Sequence, residues 1–141
     1  MIENNLIYET EYWKILLNPD QQNLAKSTFV LKSGTARLSD LNAEEWCDFE
    51  ILVRQFENTI ESLFTPSHFN WVCLMNNSYK IGGDKLPHIH WHVAPRYPEL
   101  KNVFGHVFTD ENYPSTNKVA KIIDEKLMFD LTENIKRAWK F

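Results

Sequence analysis

Residues 87–96 read PHIHWHVAPR and contain three of the five histidines of the chain. The three imidazoles occupy alternate positions, with Ile89 and Trp91 between them and Val93 after the last. Because successive side chains of a β-strand point to opposite faces, this alternation predicts a strand with one histidine face and one apolar face. The apolar face is suited to packing against a helix, which leaves the histidine face available for chemistry.

The residues alone leave three interpretations of this face open: a solvated surface, a metal site or a catalytic row. Along a regular strand with a rise of about 3.3 Å per residue, His88 and His92 start about 13 Å apart. Nitrogens that bind one zinc ion lie about 2.1 Å from it, so a site formed by all three histidines is disfavoured. A neutral imidazole can instead attack phosphorus, while neighbouring imidazoles stabilise phosphate oxygens or protonate a leaving group.

The composition limits the class of protein. A chain of 141 residues with 43% hydrophobic residues is expected to form one domain with a single core. A net charge of −4 disfavours a broad nucleic-acid surface, which requires many Lys and Arg residues. We find neither a membrane-length apolar run nor a signal-peptide pattern, and we therefore expect a cytoplasmic protein. Cys47 and Cys73 lie in apolar patterns and are predicted to be buried thiols without a metal or redox role.

The remaining sequence predicts an α+β domain with a mostly antiparallel sheet of about five strands. Strand patterns occur at residues 12–17, 28–32 and 71–75. Asn42 and Glu45 have capping-box spacing before apolar residues at intervals of three or four, which predicts one long helix ending at Thr65. A second apolar stripe predicts a C-terminal helical extension over about residues 115–140.

The histidine motif and its surroundings resemble the histidine-triad (HIT) family. In that family, histidines alternate with apolar residues and are often followed by Pro-Arg, as in residues 88–96. Asn77 and Gly83 match the family's asparagine and glycine positions upstream of the triad. The resemblance is strongest over about residues 8–110, and it implies that residues 1–141 form a single HIT-like domain.

The resemblance implies a nucleotide hydrolase, similar to the dinucleoside polyphosphate hydrolase-like bacterial members. The expected substrate is a small nucleotide, either a dinucleoside polyphosphate such as a diadenosine polyphosphate or a nucleoside phosphoramidate, cleaved at its α-phosphate. His90 corresponds to the family's nucleophile and forms a covalent nucleotidyl intermediate that water resolves, while His88 and His92 flank the phosphate. A nucleotidyltransferase and a nucleotide-binding module with little turnover remain the alternatives.

The same resemblance implies a homodimer formed through the long helix and an edge strand. No resident cofactor or protein-bound metal is expected, although a dissociable magnesium ion remains open as a companion of a polyphosphate substrate.

Five residues are predicted to bind substrate. Asn18 matches a ribose-binding position and also suits a turn, and Asn77 and Gly83 are expected near the phosphate. Lys85 either places a positive charge beside the phosphate or belongs to a charged surface turn. Arg96 has the charge and reach of a phosphate ligand, but it also suits a salt bridge at a strand end.

The chain departs from the family around the intact triad. Residues 83–85 read Gly-Asp-Lys, where relatives often have Gly-Gln-Ser or Gly-Gln-Thr. Gly34 occupies the place of a frequent family histidine, and Ala25-Lys26 stands where many relatives have Gly-His. The groups that surround the substrate are therefore expected to differ from those of relatives.

Overall fold

The computed structural model of the chain describes residues 4–75, 79, 82–83, 88–117 and 119–141. In chain order, the elements are β1 (Leu6–Glu9), β2 (Trp13–Leu17), β3 (Ser27–Leu31), a short 3-10 helix (Leu38–Asp40), α1 (Ala43–Phe64), β4 (His68–Cys73), β5 (His90–Arg96), β6 (Lys101–Val103), β7 (His106–Phe108) and α2 (Glu125–Arg137). Five strands form one antiparallel sheet in the order β1-β2-β3-β5-β4, and β6 pairs with β7. The predicted α+β class and its five-stranded antiparallel sheet are confirmed.

The long helix α1 begins where the sequence predicts. The side chain of Asn42 accepts a hydrogen bond from the backbone N–H of Glu45 at 2.8 Å, and the carboxylate of Glu45 accepts one from the backbone N–H of Asn42 at 2.9 Å. This capping box satisfies donors that have no partner inside the first turn. Helix α1 ends at Phe64, and Thr65 takes a left-handed conformation with φ of 53°.

The core lies between one face of the sheet and the helices α1 and α2. Strand register pairs Phe29 with Trp91 and Trp71 with Val93. The ring of Phe29 lies edge-on to Trp71 at 5.0 Å and to Phe56 of α1 at 5.4 Å. Burial of these large rings removes much apolar surface from water and fixes which face of β5 points inward. Because strand residues alternate, the histidines of β5 face away from α1.

The histidine strand is shorter than the alternation predicts. Strand β5 begins at His90 rather than at residue 87, and His88 lies just before it. The reason is the length of β3, which ends at Leu31 and therefore offers no ladder partner to His88. Ile89 is held differently, since its N–H donates to the carbonyl oxygen of Thr35 at 3.1 Å.

Two other expectations need correction. Cys47 is exposed rather than buried, because it lies between the residues of α1 that face the core. The C-terminal helix begins at Glu125, where Asp124 caps it by accepting a hydrogen bond from the N–H of Leu127 at 2.8 Å. The preceding residues are not helical, and Ile122 forms a β-bridge with Asp20. Neither helix in the described part of the chain has the length and apolarity needed to cross a membrane.

Candidate active site

The three predicted histidines lie in a row on the outer face of the sheet. The ring centroids of His88 and His90 are 5.7 Å apart, and those of His90 and His92 are 5.1 Å apart. Register places His92 between Thr28 of β3 and Val72 of β4. Within the ranges that the structure describes, no three His, Cys, Asp or Glu side chains are grouped so as to hold a metal ion.

A contact with the backbone favours one tautomer of neutral His90. Its Nδ1 lies 3.2 Å from the carbonyl oxygen of His88. A carbonyl oxygen only accepts hydrogen bonds, so a hydrogen bond here requires Nδ1 to carry the single proton of the neutral ring. The lone pair is then on Nε2, at the opposite edge of the ring. Neutral His90 can therefore act as a nucleophile through Nε2.

His92 is connected to the end of β2 through Thr28. The hydroxyl oxygen of Thr28 lies 3.5 Å from His92 Nδ1 and 3.5 Å from Asn18 Nδ2. The amide of Asn18 can only donate through Nδ2, which leaves the hydroxyl hydrogen of Thr28 available for His92 Nδ1. That arrangement favours the His92 tautomer with its proton on Nε2, where it can donate to an oxygen of a ligand.

Asn18 also confirms the turn that the sequence suggested. Its Oδ1 accepts a hydrogen bond from the backbone N–H of Asp20 at 2.9 Å, which is the geometry of an Asx turn. The turn and the contact with Thr28 use different atoms of the same amide.

The other predicted substrate-binding residues lie in or beside the segment before β5. Gly83 has irregular backbone and is partly buried. Asn77 and Lys85 lie outside the described residues. The roles assigned to these residues stay predictions.

The guanidinium of Arg96 is hydrogen-bonded to other residues of the protein. Its Nε and Nη2 donate to the two carboxylate oxygens of Asp110 at 2.7 and 3.0 Å, and the two side chains are only 3% and 1% exposed. The guanidinium also donates to the carbonyl oxygens of Pro114 at 3.4 Å and Ser115 at 2.6 Å. The structure therefore confirms the salt bridge, while the assignment of Arg96 to substrate stays a prediction.

A cavity of about 160 Å³ adjoins His92, between β4 and the loop that follows β2. Val72 and Ala94 contribute apolar surface to it, whereas Asn23 and Lys26 contribute an amide and a cation. A group bound there would lie beside the histidine row.

Cys73 lies behind the histidine row and packs against the core, but it is partly buried rather than buried as predicted. Burial raises the pKa of its thiol, and a hydrogen bond from the backbone of His90 offsets part of this increase. A thiol with a raised pKa is a weak nucleophile at neutral pH, so Cys73 does not compete with the imidazoles.

Comparison with protein-family models gives a match to the HIT domain over residues 1–99. The chain belongs to the HIT family. An uncharacterized HIT-like protein of Methanocaldococcus jannaschii is 26% identical over 111 residues, which are 72% of this chain and 83% of that protein.

Solved HIT structures share the fold. A histidine triad protein of Marinobacter aquaeolei has a TM-score of 0.71 at 16% identity, with 95% of this chain and 87% of that chain covered. The diadenosine triphosphate hydrolase of Plasmodium falciparum, in complex with cyclomarin A, has a TM-score of 0.66 at 18% identity, with 97% and 77% covered. A zinc-bound histidine triad protein of Mycobacterium smegmatis has a TM-score of 0.61 at 15% identity, with 94% and 81% covered. At these identities, the likeness shows the fold alone.

Two residues of this HIT domain were not singled out from the sequence. Thr28 contacts His92 only because β3 and β5 pair in a particular register, and no local pattern reveals that register. Asn23 lies in a polar loop and becomes notable only through its burial beside the cavity.

Proposed function

We propose that this HIT protein is a nucleotide hydrolase that cleaves at the α-phosphate of a dinucleoside polyphosphate or a nucleoside phosphoramidate. The observation that supports this most is the contact between His90 Nδ1 and the carbonyl oxygen of His88, because it leaves Nε2 as the nucleophile. Membership of the HIT family and the likeness to a diadenosine triphosphate hydrolase support the substrate class.

The proposed reaction has two displacements at phosphorus. Nε2 of His90 forms a bond to the α-phosphorus, while the bond from phosphorus to the leaving oxygen or nitrogen breaks. The leaving group keeps the electron pair and takes a proton from His92 or solvent. Water then attacks phosphorus and loses a proton, the bond to His90 breaks, and a nucleoside monophosphate is released. His88 and His92 donate to the phosphate oxygens as negative charge develops.

The accessory residues complete the proposal. We assign Asn18 to the ribose, and Asn77 and Gly83 to the region of the phosphate and leaving group. Lys85 is proposed to place positive charge near the phosphate.

The test is intact-protein mass spectrometry after brief incubation with adenosine phosphoramidate or diadenosine triphosphate, with a quench that preserves the nitrogen–phosphorus bond. The wild type is expected to gain one nucleotidyl group, and His90→Ala to gain none and to lose turnover. His106→Ala is the matched control, since it removes an exposed imidazole from β7. Equal turnover by wild type and His90→Ala would contradict the proposal.

A nucleotide-binding module with little turnover is the second candidate. It is favoured by residues 83–85, which lack the neutral amide and hydroxyl common in relatives. Calorimetry that finds tight AMP binding, together with no turnover across a nucleotide panel, would favour the module. Analysis of the products with inorganic phosphate added as an acceptor separates hydrolysis from transfer of the nucleotidyl group.

No resident cofactor enters the proposed reaction, because an imidazole supplies the nucleophile. Excess chelator is therefore expected to leave phosphoramidate hydrolysis unchanged. A loss of activity confined to the polyphosphate would assign magnesium to that substrate, whereas a loss on both would contradict cofactor-free chemistry.

We also propose a homodimer. Strand β4 is an edge of the five-stranded sheet, and Trp46 and Ile51 on α1 expose 40% and 46% of their surface. An edge strand that is unpaired on one side among the described residues, and exposed apolar side chains on a helix, are both features that suit association with a second copy. Light scattering at micromolar concentration should give twice the chain mass, and Ile51→Asp should shift it toward the monomer. A wild-type monomer would exclude this assembly.

A further inference from the structure

The loop between β2 and β3 starts at Asn18 and ends at Lys26, and its two ends are bonded to each other. The N–H of Asn18 donates to the carbonyl oxygen of Lys26 at 2.9 Å. Asn18 is the residue that we assign to the ribose, and its side chain contacts Thr28 beside His92. Lys26 lines the cavity that adjoins His92. Both ends of the loop therefore lie in the surroundings of the histidine row.

One buried side chain of this loop is bonded to both of its ends. The Nε2 of Gln21 donates to the carbonyl oxygens of Asn18 at 2.7 Å and Lys26 at 2.9 Å. Its Oε1 accepts a hydrogen bond from the N–H of Ala25 at 2.7 Å. A carboxamide has two N–H donors, and both are used inside the loop. Any effect of Gln21 on a ligand is therefore indirect.

The bond from Ala25 to Gln21 holds a strained part of the backbone. Ala25 is buried and has a φ of 69°, in the left-handed region that a residue with a Cβ rarely adopts. Such a conformation persists only where the surrounding structure holds it in place. Without the carboxamide of Gln21, we expect the backbone to relax at Ala25, directly before Lys26.

The middle and the ends of the loop are held by different groups. On the outer side, the backbone N–H of Gln21 donates to the carbonyl oxygen of Lys121 at 2.8 Å, which holds the middle of the loop. By contrast, the backbone N–H and carbonyl groups of Asn18 and Lys26 bond to one another, to Asn23 and to the side chain of Gln21. The ends of the loop are thus set from inside.

We propose that Gln21 is a positioning residue for the nucleotide, because its carboxamide holds Asn18 and Lys26 in the arrangement in which the nucleotide binds. The proposal rests on the nucleotide site proposed above. The contact between His90 Nδ1 and the carbonyl oxygen of His88 does not involve the loop. Loss of the carboxamide should therefore weaken reactions that depend on the nucleoside and leave the nucleophile unchanged.

Two substrates separate these effects. Adenosine phosphoramidate carries a nucleoside, whereas inorganic phosphoramidate carries none and reports on His90 alone. With the second, Nε2 of His90 forms a bond to phosphorus, the phosphorus–nitrogen bond breaks, and the nitrogen leaves as ammonia after taking a proton from solvent. Gln21→Met removes the carboxamide at similar volume. Gln55→Leu is the matched control, since it removes a partly buried carboxamide of α1 that accepts a hydrogen bond from Trp139 Nε1.

Gln21→Met is expected to lower both kcat/KM for adenosine phosphoramidate and the affinity for AMP by at least about tenfold. The rate at which inorganic phosphoramidate phosphorylates His90, followed by peptide mass spectrometry, should stay within about twofold of the wild type. Gln55→Leu should lower the melting temperature and leave both reactions at the wild-type rate.

Unchanged kcat/KM and AMP affinity in folded Gln21→Met would overturn the proposal. An equal loss in both reactions would also overturn it, because the whole site would then be disrupted. If the wild type hydrolyses no nucleotide, the hydrolase function fails, and the AMP affinities measured by calorimetry decide the role of Gln21.

Gln21→Glu serves if Gln21→Met does not fold. Burial favours the neutral carboxyl group, which keeps one donor for the two carbonyl oxygens, whereas the ionised group keeps none. Relative to the wild type at the same pH, its AMP affinity is expected to be lower at about pH 8 than at about pH 5. Equal relative affinities at the two pH values would reject the role of Gln21.

Discussion

The two ends of strand β5 use polar side chains in different ways. At its start, His90 and His92 are partly exposed on the open face of the sheet. At its end, Arg96 is buried and donates to Asp110 and to two backbone carbonyl oxygens. Alternation places all three side chains on the same face of the sheet, so burial and partners, rather than orientation, distinguish them.

The comparison shows that one strand can carry the side chains proposed for catalysis at one end and a side chain that stabilises the fold at the other. Imidazoles that remain accessible to a ligand contribute little to folding, since water solvates them before and after. A buried ion pair contributes through the penalty for breaking it, because one charge is then left without a partner. We therefore expect substitutions at the start of β5 to change activity and substitutions at its end to change stability.

The largest expected effect is that of His90→Ala on turnover. Loss of a covalent nucleophile should lower kcat by at least about a thousandfold. The free energy of unfolding should change by no more than about 0.5 kcal/mol, as is usual for exposed positions. Steady-state kinetics and urea denaturation of the same preparation measure both. A large loss of stability would break the comparison, because the histidine end would then also be structural.

Arg96→Met should show the opposite pattern. Removing the guanidinium leaves Asp110 buried and unpaired, which is expected to cost about 3–5 kcal/mol of unfolding free energy. In the double variant Arg96→Met/Asp110→Leu, part of that stability should return, because no buried charge remains. The rest stays lost, because the carbonyl oxygen of Ser115 and the N–H of Tyr97 lose their partners. We expect kcat/KM of the double variant to stay within about tenfold of the wild type. A folded double variant that has lost activity would instead place Arg96 on the substrate.

Thr28→Val tests the contact behind His92 at nearly constant side-chain volume. Without the hydroxyl, the contribution of Thr28 to the His92 tautomer is lost, and kcat is expected to fall about tenfold, as for other residues that orient a functional histidine. The pH profile of kcat should shift as well, which a purely structural change would not produce. Thr109→Val, at an exposed position, is the control. An unchanged pH profile in Thr28→Val would remove Thr28 from the site.

The smallest expected effect concerns the two cysteines. Cys47 is exposed, whereas burial raises the pKa of Cys73. A raised pKa means a smaller thiolate fraction at a given pH, so at pH 8 alkylation of Cys47 should be about tenfold faster. The ratio of the alkylation rate of Cys47 to that of Cys73 should decrease as the pH rises through the pKa of Cys73. Peptide mass spectrometry after timed labelling measures it, and equal rates at pH 8 would mean that the sheet behind His90 opens readily.

Much of the fold can be read from local patterns. The capping box of Asn42 and Glu45 and the alternation around His90 depend on residues near one another in sequence, and both predict the right element. The residue at which β5 begins depends instead on the length of β3, a paired strand that is distant in sequence. Solvent exposure of Cys47 likewise depended on which side of α1 met the sheet.

The site is less predictable than the fold. The histidine row is visible as a sequence motif. Thr28 lies beside His92 because of the register between β3 and β5, and Asp110 reaches Arg96 because the chain folds back after β5. No local sequence pattern predicts either contact. Asn23 is detectable only when its burial is known. Sequence therefore identifies reacting groups more readily than the groups around them.

The segment after β7 is fastened to the loop that follows β2. Both polar backbone groups of Lys121 bond to that loop. Its N–H donates to Asp20 Oδ1 and its carbonyl oxygen accepts from the N–H of Gln21, each at 2.8 Å. Residues 115–116 of this segment line the cavity, yet they lie outside the matched HIT region of residues 1–99. The walls of the cavity thus come partly from a segment that follows the matched HIT region, so exchanging that segment between relatives would change the cavity while the three histidines stay in place.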